Sequence, residues 1–182
     1  MITLVVGVPG SGKSALAEKL VLEQSGDGKR IYIATMIPYG KEGEKRVKKH
    51  RTLREGKGFF TIEAPVNVSK AVMGTEGIQD ATCLLECVSN LVGNVMHDDP
   101  DNGQKATDQL IISQVTEDIR KLADGCKNLV AVTNSFPPEN DEYDEDTKRY
   151  VMITGAVNSL LKNISDVIYE LSEGEWQRNE NS

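Results

Sequence analysis

Cysteine and histidine are both scarce in this sequence, and each scarcity closes a route. The three cysteines, Cys83, Cys87 and Cys126, are odd in number and lack framework spacing, which argues against a disulfide scaffold. Cys83 and Cys87 stand in an apolar run and are expected to pack as small hydrophobes. Two distant histidines, His50 and His97, do not readily complete a zinc site with them. Aromatic residues make up only 5% of the chain, so the stacking platform of a nucleic-acid-dependent ATPase is missing. Positive charge is outnumbered, and a net charge of -7 makes general nucleic-acid binding a poor first expectation. No apolar run is long enough to span a membrane. The apolar start ITLVVGV has no basic region before it, so no secretory leader is expected. Together these point to the reducing cytoplasm, with no nucleic-acid partner and no membrane span.

Apolar residues are not scarce: they make up 38% of the 182 residues, which suits one globular domain with a real core. Residues 1–172 read as that domain and 173–182 as a polar tail expected to fray. Apolar runs predict strands at Ile2–Val6, Ile31–Ala34, Phe59–Ile62, Cys83–Leu85, Leu129–Val132 and Val167–Leu171. Helices are predicted at Ser14–Glu23, Glu42–Arg54, Gln109–Leu122 and Asp146–Leu161, with a weak one at Val68–Met73. His97, in MHDDP, reads as a loop residue, and PPENDEYDED as an acidic loop. This alternation predicts an α/β fold of three layers with a mostly parallel sheet. Ligands of such sheets sit beyond the carboxyl ends of the strands. Gly7, Thr35, Glu86 and Asn134 are expected there, on one edge.

Gly7, Val8, Pro9, Gly10, Ser11, Gly12, Lys13 and Ser14 fit G-x-x-x-x-G-K-[ST] at every fixed position, between a strand and a helix. Glycines let the backbone wrap phosphates with its N–H groups pointing inward. The helix that follows adds the positive end of its dipole. Lys13 is expected to reach the outer phosphates and the Ser14 hydroxyl to ligate magnesium. Glu86, closing the apolar strand CLLE, is the second expected magnesium partner. The motif narrows the fold to a P-loop NTPase-like (RecA-like) domain.

The basic residues that are present cluster. Lys41, Lys45, Arg46, Lys48, Lys49, Arg51, Arg54 and Lys57 crowd one segment, which marks it as a site for an anion. Arg46, His50 and Arg54 are spaced i, i+4, i+8 and share a helix face. Two guanidiniums could grip phosphate oxygens on either side of an imidazole nucleophile. The plainer reading is a solvated basic helix with an incidental histidine, and periodicity alone favours it.

These elements, in order, resemble the bifunctional adenosylcobinamide kinase/adenosylcobinamide-phosphate guanylyltransferase family of cobalamin biosynthesis. The resemblance rests on the phosphate loop, Tyr32-Ile33-Ala34-Thr35, Arg46-Val47-x-x-His50-x-x-x-Arg54 and Thr61-x-Glu63-x-Pro65. It continues through Leu84-Leu85-Glu86-Cys87, Asn94, Val132-Thr133-Asn134 and Gly155-x-x-Asn158. It implies two reactions: phosphorylation of the hydroxyl on the aminopropanol arm of adenosylcobinamide by ATP or GTP, then transfer of GMP from GTP to that phosphate. It makes His50 the carrier of a GMP–histidine intermediate. It maps nucleotide contacts onto Gly7 to Ser14, onto Ala34, Thr35 and Met36, onto Arg51, Thr52, Leu53 and Arg54, and onto Glu63 and Glu86. A homotrimer, with the site near subunit contacts, is also implied. The chain departs from the family after Asn134, where it reads Ser135-Phe136-Pro137-Pro138-Glu139, and at Val151-Met152 after Tyr150.

Two other readings compete. A small-molecule kinase acting on another hydroxyl acceptor would use Lys13, Ser14 and Glu86 and give His50 no role. A non-catalytic nucleotide-binding regulatory protein would bind GTP or ATP without turnover.

Overall fold

The structure, a computed structural model, describes residues 1–98, 106–137 and 142–181, with the side chain of Leu53 left out. Of the acidic loop, residues 138–141 lie outside the described residues. The chain runs β1 (Ile2–Gly7), α1 (Lys13–Ser25), β2 (Arg30–Ala34), α2 (Gly40–Arg54), β3 (Phe59–Glu63), α3 (Val68–Val72) and β4 (Thr82–Glu86). It continues α4 (Val88–His97), α5 (Asp108–Gly125), β5 (Asn128–Asn134), α6 (Glu145–Ile164), β6 (Val167–Ser172) and β7 (Glu175–Glu180). The seven strands form one sheet in the order β3-β2-β4-β5-β1-β6-β7. All neighbours pair in parallel except β6 and β7.

The central strands are apolar on both faces because both faces are covered. On one face Leu4, Val6, Ile31, Ile33, Leu85 and Leu129 join residues of α3, α4, α5 and α6 in the larger core. On the other, Val5, Tyr32, Leu84, Val130 and Val132 pack against Ala17, Leu20 and Val21 of α1. No described α2 side chain belongs to either core. Cys83 and Cys87 are buried and free, as expected of small hydrophobes. No helix among the described residues is long and apolar enough to cross a membrane.

Two expectations fail. His97 is not in a loop: it ends α4, a helix absent from the sequence-based prediction. Val88, Leu91, Val92, Val95 and Met96 are buried along one stripe of that helix at helical spacing. The Cys87 side chain caps its start, accepting from the Asn90 N–H. The stretch after Glu173 does not fray either. Glu173 and Gly174 turn with φ of 51° and 81°, the left-handed pair of a tight hairpin, and Glu175 to Glu180 return along β6. Trp176 packs into the α1-side core, and Asn181 Nδ2 donates to the carbonyls of Lys162 (2.6 Å) and Ser165 (2.7 Å). A polar composition hid a strand whose one apolar residue is aimed inward.

Ending the chain at Ser172 strips β7 and bares the β6 edge. The expected result is a fall in Tm of about 3–6 °C, for a loss of roughly 1–2 kcal/mol of burial and pairing. An unchanged melting curve would mean that the stretch carries no stability.

Candidate active site

The parallel register sets the site. Gly7 stands opposite Asn134, and Ala34 opposite Glu86, so the ends of β1, β2, β4 and β5 share one edge as expected. The loop that leaves β1 turns back into α1 through Gly10 and Gly12, at φ of 79° and 83°. Residues with side chains rarely hold that conformation, which fixes glycine at both places. A Cβ at Gly7 would stand 2.6 Å from Ser11 Oγ, so a side chain there would displace the Ser11 hydroxyl. Lys13, buried at the start of α1, donates to the Val8 carbonyl at 3.1 Å, and burial lowers the pKa of its ammonium. Ser11 Oγ is buried without a partner. Val8 is exposed at the rim, with Pro9 between it and Gly10.

Ser14 Oγ donates to Glu86 Oε1, which joins the phosphate loop to the end of β4. The other carboxylate oxygen, Oε2, is buried with no partner. Burial pushes the Glu86 carboxyl up, against the Ser14 hydrogen bond and the charges of His50 and Arg54. Ser14 and Glu86 therefore offer a hydroxyl and an underused carboxylate side by side. Those are hard oxygen donors, and magnesium, which keeps several waters, needs few of them from a protein. The pair fits the implied ion. Among the described residues no three His, Cys, Asp or Glu side chains gather into a metal site of their own.

His50 lies within electrostatic reach of Glu86. It is half-buried, and its Nδ1 is buried without a partner. The face shared by spacing is split in practice. Arg54 is buried, with its guanidinium carbon 3.4 Å over the Tyr32 ring, whereas Arg46 is exposed. Arg51 and Thr52 are exposed, and Arg51 pairs with Glu63 at 2.8 Å. Together with Lys48 and Arg54 they line a cleft of about 670 Å³ between α2 and β3. Ala34 and Met36 are half-buried. Thr35 faces inward: its hydroxyl donates to the Cys87 carbonyl (2.8 Å) and accepts from the Cys87 N–H (2.7 Å). Asn94 Nδ2 bonds the Thr35 and Pro65 carbonyls, holding the turn after β2.

Sequence reasoning gave Glu18 no role and read Tyr32 only as part of a motif and Lys57 only as one charge of the basic cluster, yet all three bear on the site. Glu18 follows Ser14 by one helical turn and is buried, with Lys57 Nζ 2.6 Å from its carboxylate. Arg30 holds the Lys57 carbonyl at 2.9 Å. These contacts and the Arg54–Tyr32 stack tie the end of α2 to the phosphate-loop helix. The i+4 spacing of Glu18 from Ser14 was visible, but nothing local marked its partner.

Replacing Glu86 with Gln removes a buried charge that the apo fold resists. A raised native pKa means that the ionised carboxylate costs stability as pH rises through it, so the gain from Glu86→Gln grows with pH. The expected gain near neutral pH is about 2–4 °C in Tm. Thermal melts at several pH values check it.

No curated protein sequence matches the chain. Solved structures that resemble it share the fold at low identity. The ATPase domain of G40P aligns at a TM-score of 0.54 and 14% identity, over 94% of this chain and 69% of that one. An ATP synthase subunit, NeqB from Nanoarcheaum equitans, aligns at 0.60 and 13%, over 94% of this chain and 46% of that one. They establish a P-loop ATPase-like fold and no more. The sequence profile of one family covers residues 3–177, nearly the whole described chain. With that profile spanning nearly the whole chain and the phosphate loop joined to Glu86, the chain belongs to the cobinamide kinase / cobinamide phosphate guanyltransferase family.

Proposed function

We propose that the protein carries both activities of its family, with His50 as the covalent carrier in the second. The observation that carries the reading is the phosphate loop joined to Glu86 by Ser14, with the half-buried, unpartnered His50 within electrostatic reach of that carboxylate. In the kinase step, the backbone of Gly7 to Ser14 cradles the triphosphate and Lys13 holds its outer oxygens. The acceptor hydroxyl attacks the γ-phosphorus, the bond to the bridging oxygen breaks, and the nucleoside diphosphate leaves; the hydroxyl proton goes to water. A magnesium ion held by Ser14 and Glu86 would screen the phosphate charge. In the transferase step, an imidazole nitrogen of His50 attacks the α-phosphorus of GTP. An N–P bond forms, the Pα–O bond to the β-phosphate breaks, and pyrophosphate departs. A phosphate oxygen of adenosylcobinamide phosphate then attacks the same phosphorus and frees His50. Arg46 and Arg54 stand one helical turn to either side of His50 and Arg51 follows it, a local positive charge that suits pyrophosphate and the developing negative charge. Thr52 and Glu63 belong to the same surface, and Leu53 is the further α2 contact that the family resemblance implies. The Thr35 hydroxyl is spent on Cys87, so the contribution of Ala34 to Met36 is read as backbone and shape.

The test is incubation with magnesium and GTP labelled at the α-phosphate. Label is expected on the wild-type chain, lost in acid and stable in base, and absent from His50→Ala. Phosphorylation of adenosylcobinamide by His50→Ala is expected to persist within about threefold. Full guanylyl transfer by His50→Ala would sink the covalent role and favour a kinase that makes no use of this helix.

A further inference from the structure

Trp176 is the only tryptophan in the chain. It stands near the top of β7 opposite Leu171, half-buried, with its body in the α1-side core beside Tyr169. The far edge of its indole reaches the phosphate loop. A Cβ at Gly7 would stand 3.1 Å from Trp176 Cη2, so the missing side chain at Gly7 also lets the ring lie against the loop. Beside that contact is the buried Ser11 hydroxyl with no partner.

A nucleotide joins its phosphates to a flat base through one ribose. A loop that holds the phosphates therefore needs its base platform close by but outside the cradle. Several other aromatic rings are committed or remote. Tyr32 lies under Arg54 and meets Phe59 edge-on, while Phe136 and Tyr150 pack on each other at 5.5 Å between centroids. Phe60 is exposed on β3, at the opposite edge of the sheet. Trp176 lies against the loop with part of its side chain uncovered.

We propose that Trp176 is the stacking platform for the purine base of the nucleotide whose phosphates occupy Gly7 to Ser14. The inference rests on the phosphate-cradle reading of that loop. Stacking uses the π-face that every base has and does not separate adenine from guanine. The platform thus admits ATP and GTP alike, and any preference for guanine must come from polar contacts elsewhere.

The test uses the emission of this single tryptophan, with Kd values from calorimetry. ATP, GTP and inorganic tripolyphosphate, which lacks a base, are titrated separately. Saturable quenching is expected with both nucleotides and little with tripolyphosphate, although tripolyphosphate displaces them. Trp176→Leu keeps apolar volume without a ring and is expected to weaken ATP and GTP about tenfold while leaving tripolyphosphate unchanged. Trp176→Phe should stay within about threefold of wild type. Nucleotide affinity unchanged in Trp176→Leu, or an equal loss for tripolyphosphate, overturns the proposal while the phosphate cradle stands. Failure of all three ligands to bind the wild-type protein overturns the cradle reading itself.

Discussion

The contact between Ser14 and Glu86 is the joint around which the site is arranged. One partner opens α1 and the other closes β4, two elements that the sheet order separates by β5. The register that puts Gly7 opposite Asn134 and Glu86 opposite Val132 sets this meeting, because a slip of one residue would turn the Glu86 side chain to the opposite face. Burial gives the contact its chemical character. A carboxylate with one oxygen bonded and the other unpaired is costly to bury.

The second constraint concerns α2. Its surface is almost wholly polar, so burial of apolar area cannot hold it in place. Two charged contacts do the holding. The Arg54 guanidinium lies over the Tyr32 ring, a desolvated cation–π contact of about 2 kcal/mol. Lys57 neutralises Glu18 on the phosphate-loop helix, and leaving that buried carboxylate without its cation would cost about 1–3 kcal/mol. Both anchors sit at the carboxyl end of the helix. His50 lies one turn before Arg54, near enough to inherit its placement. Arg54 also borders the basic cleft, whose other cations, Lys48 and Arg51, belong to neither anchor.

Much of the fold was legible because its signals are local. All six predicted strands recur with nearly the same cores, since a buried parallel strand is a continuous apolar run. α4 was missed although its stripe from Val88 to Met96 has helical period, because the apolar run of β4 leads into it with only Cys87 between. β7 was missed because alternation cannot be seen with a single apolar residue. Trp176 is that residue, and its partner, the bare backbone of Gly7, lies 169 positions away in sequence.

The sequence by itself determined the phosphate loop, its strand and helix, and the acid that ends β4. Those depend on residue types at fixed short spacings, where sterics and backbone geometry leave little choice. Tertiary structure decided which charges share a neighbourhood. Spacing put Arg46, His50 and Arg54 on one face, but packing buried Arg54 on Tyr32, left Arg46 in solvent and brought His50 to Glu86. It also paired Glu18 with Lys57 and laid Trp176 against the loop. The physical reason is the same in each case: electrostatic and ring contacts depend on distance in space, and the chain reports only distance along itself.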